Sequence, residues 1–128
     1  MGKYTYNKEE RCLQFCVSLF KYIKMKNAKA VLSVRFKSTY GEKELIQLFE
    51  NDLELFHDVP GLVEKYYIEE EETDVNGAIY VFDSKAAKAA FWNSELAKSI
   101  PDRYGVILDS LRVEHLDVTI DLKEAVAI

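Results

Sequence analysis

Apolar positions in the first part of the chain recur every three or four residues. Leu13, Cys16, Phe20 and Ile23 fall on one helical face, which predicts a helix over residues 8–26 that Asn27 can end. From Ala30 to Lys37 the period drops to two: Ala30, Leu32, Val34 and Phe36 alternate with Val31, Ser33, Arg35 and Lys37, the mark of a half-buried strand. After a turn through residues 38–41, Leu45, Leu48, Phe49, Leu53 and Phe56 form an apolar stripe that predicts a helix over residues 42–57. Pro60-Gly61 stops it. Residues 62–70 and 77–83 have the aromatic and β-branched content of strands; between them Glu69, Glu70, Glu71, Glu72 and Asp74 crowd a loop that ends in Asn76-Gly77. Ser84 is placed to cap a helix over residues 85–98, whose alanines let it lie close to a sheet. Arg103-Tyr104-Gly105 forms a second corner, and residues 108–120 supply a last strand with Leu111, Val113 and His115 opposite Arg112, Glu114 and Leu116. Residues 123–128 are a short tail.

After the first helix the order is β-α-β-β-α-β. Right-handed crossovers in the two halves put four strands in one antiparallel, ferredoxin-like α+β sheet with both helices on a single face. The expected organisation is an N-terminal helical extension, residues 1–27, and a ferredoxin-like domain, residues 28–128. The sheet's other face would expose apolar side chains from several strands, and such a face is expected to pair with a second copy of the chain.

Composition narrows the function classes. A chain of 128 residues with 48% hydrophobic and 30% charged residues is sized for one domain with one core. Cys12 and Cys16, four apart, read as two thiols on one helix face rather than a disulfide framework, so a reducing, cytoplasmic setting is expected. The net charge of −5 argues against a nucleic-acid surface, although residues 1–29 carry a local +5 and residues 30–128 a local −10. Neither a signal-peptide pattern nor an apolar run long enough to cross a membrane is present, so no membrane partner is expected. The acidic run at residues 69–74 reads as a solvated turn, because a metal site would need histidine or ordered carbonyl partners; no metal is expected. Phosphate-binding loops, nucleophile elbows and dinucleotide-binding patterns are all missing.

Pro60-Gly61-Leu62, then Lys65, Tyr67 and Glu69, then Gly77 with Ile79-Tyr80-Val81-Phe82, resemble the YdhR-type mono-oxygenases, relatives of the antibiotic-biosynthesis monooxygenases. The similarity runs over residues 30–117 and is densest at 60–82. It implies a dimeric α/β-barrel built from two ferredoxin-like sheets. It also implies oxygen insertion into a small electron-rich aromatic with no metal or flavin cofactor. Two departures stand out. Family members often carry Trp where this chain has Glu64 and Tyr67, and residues 1–27 have no counterpart in the family's compact form.

Such chemistry needs a base for the substrate's proton, cationic or N–H donors for the resulting anion, and a dry cavity. Lys65 and Tyr67, two apart, share a strand face with Val63; Lys65 can hold an anion and Tyr67 can donate to it, with Tyr80 joining from the paired strand. Trp92 is placed to wall the pocket, and Arg103 with Tyr104 to gate its mouth. His115 is the candidate base, on a strand and with an intrinsic pKa near neutral. Each residue also has a plain structural reading: a snorkelling lysine, core tyrosines, a packing tryptophan and a hydrogen-bonded histidine. The expectation is therefore a homodimeric monooxygenase of a small aromatic. The alternative is a non-catalytic homodimer that binds a small ligand or a protein partner. A haem-degrading variant would have to use His57 or His115 as its proximal ligand.

Overall fold

In the computed structural model, residues 27–123 are described. The helix expected over residues 8–26, both cysteines and most of the tail lie outside them, as does all of the expected N-terminal extension but residue 27.

Alternation makes the first strand. β1 (Ala30–Lys37) buries Ala30, Leu32, Val34 and Phe36 while Arg35 and Lys37 reach the other face. The elements that follow are α1 (Glu42–Asn51), α2 (Leu53–His57), β2 (Leu62–Glu69), β3 (Val75–Phe82), α3 (Lys85–Trp92), α4 (Glu95–Lys98), α5 (Ile100–Arg103), a 3-10 turn (Leu108–Ser110) and β4 (Arg112–Asp117). The strands form one sheet in the order β2-β3-β1-β4, every neighbouring pair antiparallel. This is the ferredoxin-like arrangement that the element order predicts.

Strand register defines the two faces. Lys65 pairs with Tyr80, Tyr80 with Leu32 and Leu32 with His115, so these four lie in one row on the same side of the sheet. On that side Leu32, Phe36, Tyr80 and Phe82 pack with Leu45, Phe49, Phe56, Phe91, Ile100 and Tyr104 from the helices. Each large apolar side chain buried there contributes about 1.5–3 kcal/mol. No described helix lies over the other side, where Val31, Ile79, Val81, Tyr66 and Leu116 alternate with the buried set.

Local chemistry sets the turns. Val59, Pro60, Gly61 and Leu62 make a tight turn in which Leu62 N–H donates to Val59 at 3.2 Å and Gly61 takes φ 77, which a side chain would strain. Ser84 caps α3 through its hydroxyl, which accepts from Ala87 N–H at 3.0 Å. At the second corner Gly105 takes φ 59, and Thr39 N–H donates to its carbonyl at 2.8 Å.

Several expected boundaries move. The helix over 42–57 breaks at Asp52, and the helix over 85–98 breaks at Asn93-Ser94, where the Ser94 hydroxyl starts α4 by accepting from Ala97 N–H. The last strand is shorter than 108–120, because residues 108–110 coil into the 3-10 turn. Asn76-Gly77, expected at the end of the acidic loop, lies inside β3. The left-handed residue of that hairpin is Glu72, at φ 59. Gly77 serves close approach instead: a Cβ on it would stand 2.0 Å from the Val34 carbonyl oxygen of β1. The acidic loop is also less free than a solvated turn, since Glu70 pairs with Arg112 at 3.5 Å and Arg35 at 4.0 Å.

Gly77→Ala should therefore lower the unfolding free energy by roughly 2–3 kcal/mol, through overpacking against a backbone that cannot retreat. Gly41→Ala, where nothing lies within 4 Å of the new Cβ, should cost under about 0.5 kcal/mol. Urea unfolding of the two variants checks this; equal losses would refute the role given to Gly77.

Candidate functional site

A charged residue stands on an apolar stripe. Asp52 follows Leu45 by seven residues and Leu48 by four, and precedes Phe56 by four, so the helical period turns it toward the sheet with the core side chains. Its side chain is only 18% exposed and is held from two sides. The Tyr104 hydroxyl donates to Oδ2 at 2.9 Å, and Arg103 Nη1 donates to the same oxygen at 3.5 Å. Asp52 both ends α1 and starts α2, so the short second helix is re-aimed and carries Phe56 and His57 beside β2.

Lys65 projects from β2 under that helix. Its Nζ lies 3.1 Å from the Phe56 ring centroid, 4.3 Å from that of Tyr67 and 4.6 Å from that of Tyr80. Two effects oppose each other here. Three aromatic faces favour the ammonium, whereas burial favours the neutral amine. Burial dominates: it pushes the Lys65 pKa from 10.5 down to about 7, against the opposing charge of Asp52. Near neutral pH the side chain thus exists in both forms.

The surrounding phenols move the other way. Burial, with the Asp52 charge adding to it, pushes Tyr67 up to about 12. Burial raises Tyr80 further, and Tyr104 is raised by burial and by its hydrogen bond to Asp52. All three remain protonated donors across the physiological range. The Tyr67 hydroxyl is buried with no hydrogen-bond partner among the described residues. Leaving a buried donor so costs about 1–3 kcal/mol, a cost that a bound polar ligand would remove.

Of these groups Lys65 and Tyr67 reach a cleft of about 250 Å³ between α2 and β2, lined by Leu53, Phe56, His57, Leu62, Val63, Glu64, Lys65 and Tyr67. Behind Lys65 and Tyr67 a void of about 10 Å³ reaches Phe49, Ile100 and Tyr104, which is roughly the room one water needs. An amine that titrates near neutrality, phenol donors and apolar walls together can take a proton from a weak acid and hold the anion left behind. Among the described residues no group of three or more His, Cys, Asp or Glu is gathered as metal ligands would be.

The structure brings Lys65, Tyr67 and Tyr80 together, and Arg103 joins them at one remove through Asp52. Trp92 and His115 meet each other instead, edge to face with centroids 5.8 Å apart. His115 is exposed on β4, and β4 and β2 are the two edge strands of the sheet, so three strand spacings, about 14 Å, separate it from Lys65. Val63 does not share the Lys65 face by simple alternation. The ladder shifts register between Leu62 and Glu64, so Leu62, opposite Phe82, stands on the helix-covered side with Lys65 and Tyr67. Sequence reasoning missed Asp52 and Phe56 as members of the site. The signal for Asp52 was a charge on an otherwise apolar stripe; Phe56 has the spacing of any core residue and offered none.

No protein-family model matches the chain, and no curated protein matches it significantly. Solved structures do resemble it. A protein of unknown function from Nitrosomonas europaea is similar at 17% identity and a TM-score of 0.61, over 75% of this chain and 94% of that one. A monooxygenase from Streptomyces coelicolor, solved with the ligand nanaomycin D, is similar at 16% identity and a TM-score of 0.55, over 77% and 95%. SnoaB, a cofactor-independent oxygenase from Streptomyces nogalater, is similar at 17% identity and a TM-score of 0.53, over 73% and 93%. At such identities the likeness is one of fold: the chain has the ferredoxin-like architecture on which those monooxygenases are built.

The lowered pKa of Lys65 sets a pH dependence of stability. Between the folded value of about 7 and the unfolded value near 10.5 the unfolded chain binds the extra proton, so this contribution rises with pH across that window and is lost as pH falls through 7. From pH 6 to pH 9 the parent protein should gain about 2–3 kcal/mol relative to Lys65→Met. Urea unfolding at both pH values, kept below the tyrosine titrations, measures the difference; parallel pH profiles would contradict it.

Proposed function

We propose that this chain is a cofactor-independent oxygenase of a small electron-rich phenol, of the YdhR type, with Lys65 as the proton acceptor. The observation that carries this reading is the Lys65 amine held among three aromatic rings beside a cleft walled in part by Leu53, Phe56, Leu62 and Val63. In this assignment the base is Lys65 rather than His115, which pairs with Trp92 on the far edge of the sheet.

The neutral amine takes the phenolic proton and becomes the ammonium that holds the phenolate, while Tyr67 donates to the same oxygen. The electron-rich ring passes one electron to dioxygen, and the two radicals combine at the hydrogen-bearing carbon para to the phenolate. The peroxide anion so formed takes back the proton from the Lys65 ammonium, and the hydroperoxide then loses water, taking that carbon's hydrogen, and leaves a quinone. One oxygen atom ends in the product and the other in water. The substrate supplies every electron, so no reductant is needed. Tyr80 backs the Lys65 amine from β3, and Arg103 steadies Asp52, whose charge holds part of the proton affinity of Lys65. A cleft of about 250 Å³ suits one or two rings, since pockets for larger ligands run to roughly 300–1,000 Å³.

The same reading includes a homodimer joined through the open sheet face. Val31, Ile79 and Val81 are half-buried there, and Tyr66 and Leu116 are 52% and 48% exposed, a surface that association would remove from water. Sedimentation at micromolar concentration should give twice the 14.8 kDa chain mass; a monomer at that concentration refutes the dimer.

Oxygen uptake with a panel of naphthols and hydroquinones, in buffer treated to remove metals, tests the activity. The rate should rise with pH through about 7, as Lys65 loses its proton. Lys65→Ala should lower kcat/KM by about 100-fold or more, and Tyr67→Phe by about tenfold. His115→Ala should change it by less than about twofold; a loss as large as that of Lys65→Ala would return the base to His115. Absence of turnover across the panel, with ligand-induced thermal shifts intact, would point to the non-catalytic binding module.

A further inference from the structure

A primary amine attacks a carbonyl when it is neutral, reachable and close to an acid that can protonate the departing oxygen. Lys37, Lys85 and Lys98 are each held by a carboxylate, at 3.7, 3.4 and 3.9 Å. Among the described residues no carboxylate lies within ion-pair distance of Lys65; its neighbours are the rings of Phe56, Tyr67 and Tyr80. It lines the cleft, so a ligand there can meet it. The Tyr67 ring is 4.3 Å from the amine, and its hydroxyl, buried and without a described partner, is a phenol free to donate. Of the remaining walls Leu53, Phe56, Leu62 and Val63 are apolar and His57 and Glu64 polar, and together they leave room for a ring.

We propose that Lys65 condenses with small aromatic aldehydes in this cleft to form an imine. The amine nitrogen bonds to the aldehyde carbon and gives a carbinolamine, with the nitrogen's proton passing to the oxygen. Tyr67 then protonates the hydroxyl, which leaves as water as the C=N bond forms, and the proton lost from nitrogen restores the phenol. Nothing is oxidised or reduced, and no oxygen is consumed. The burial that brings the Lys65 pKa to about 7 keeps much of the amine neutral at pH 7.5. This activity does not rest on the oxygenase reading, which asks of Lys65 only that it accept a proton.

The test is anaerobic trapping on the full chain. The protein is incubated with 4-hydroxybenzaldehyde and cyanoborohydride, which delivers hydride to the imine carbon and makes the adduct permanent; intact mass and peptide mapping then locate it. One adduct per chain is expected on Lys65, with a rate half-maximal near pH 7. The exposed Lys43, Lys85 and Lys98 should lag by about tenfold or more at pH 7, because they stand outside the cleft and away from its phenol donor. Tyr67→Phe should slow the adduct, and an undiminished rate would overturn its role as the acid. Adducts spread over the exposed lysines with no preference for Lys65 would overturn the proposal. Because mapping on the parent protein decides this, the outcome does not depend on whether a Lys65 variant folds. Selective trapping without oxygen uptake would sink the oxygenase and keep the imine, and oxygen uptake without selective trapping would do the reverse.

Discussion

The carboxylate of Asp52 occupies a place where the helical period calls for leucine, and much of the molecule is arranged around that part-buried charge. A carboxylate left alone among Leu45, Leu48 and Phe56 would cost several kcal/mol. The corner that follows α5 meets the need: the Tyr104 hydroxyl and the Arg103 guanidinium converge on one oxygen. To face them, the chain ends one helix at Asp52 and starts another. That break re-aims Phe56, and Phe56 is the ring against which the Lys65 amine rests. Helix layer, corner and site therefore depend on the same contact.

The consequences are unequal on the two sides of the sheet. On the helix-covered side the two longer helices, α1 and α3, are followed by short pieces, α2, α4 and α5, none longer than five residues. Short helices cannot seal an edge strand, so the cleft opens along β2, while aromatic contacts from Phe49 to Phe82 keep the interior closed. On the other side the alternation of β1 and β3 leaves valines and isoleucines half-covered. Among the described residues one layer of helices covers one face of a single sheet, and none covers the other.

Much of this was legible residue by residue. Alternation from Ala30 to Phe36 predicts the central strand, Pro60-Gly61 the turn with its positive φ, and Ser84 the cap of α3, because each signal is local and acts through the backbone of its own segment. The spacing of Lys65 and Tyr67 predicts their shared face, and both stand at the cleft. The register shift at Val63 was not legible, since a bulge is set by the partner strand. Nor was the use of Gly77: Asn-Gly is a strong turn signal in isolation, and only the approach of the Val34 carbonyl shows why the glycine lies in the strand. His115 and Lys65 share a row in the sheet, but the strand order puts them at its opposite edges.

By itself the sequence determined the elements, their order and hence the ferredoxin-like sheet, together with the faces on which Lys65, Tyr67 and Tyr80 stand. Period and turn chemistry act over a few residues, so they can be read without knowing what lies across the sheet. Only the tertiary structure decided which of those residues meet, and what their meeting does to them. The neutral tendency of Lys65 comes from being buried between β2, β3 and α2, and its counterweight comes from Asp52. Proton affinity depends on the dielectric and charge within a few ångströms, and the groups that set it here are brought together from three separate elements.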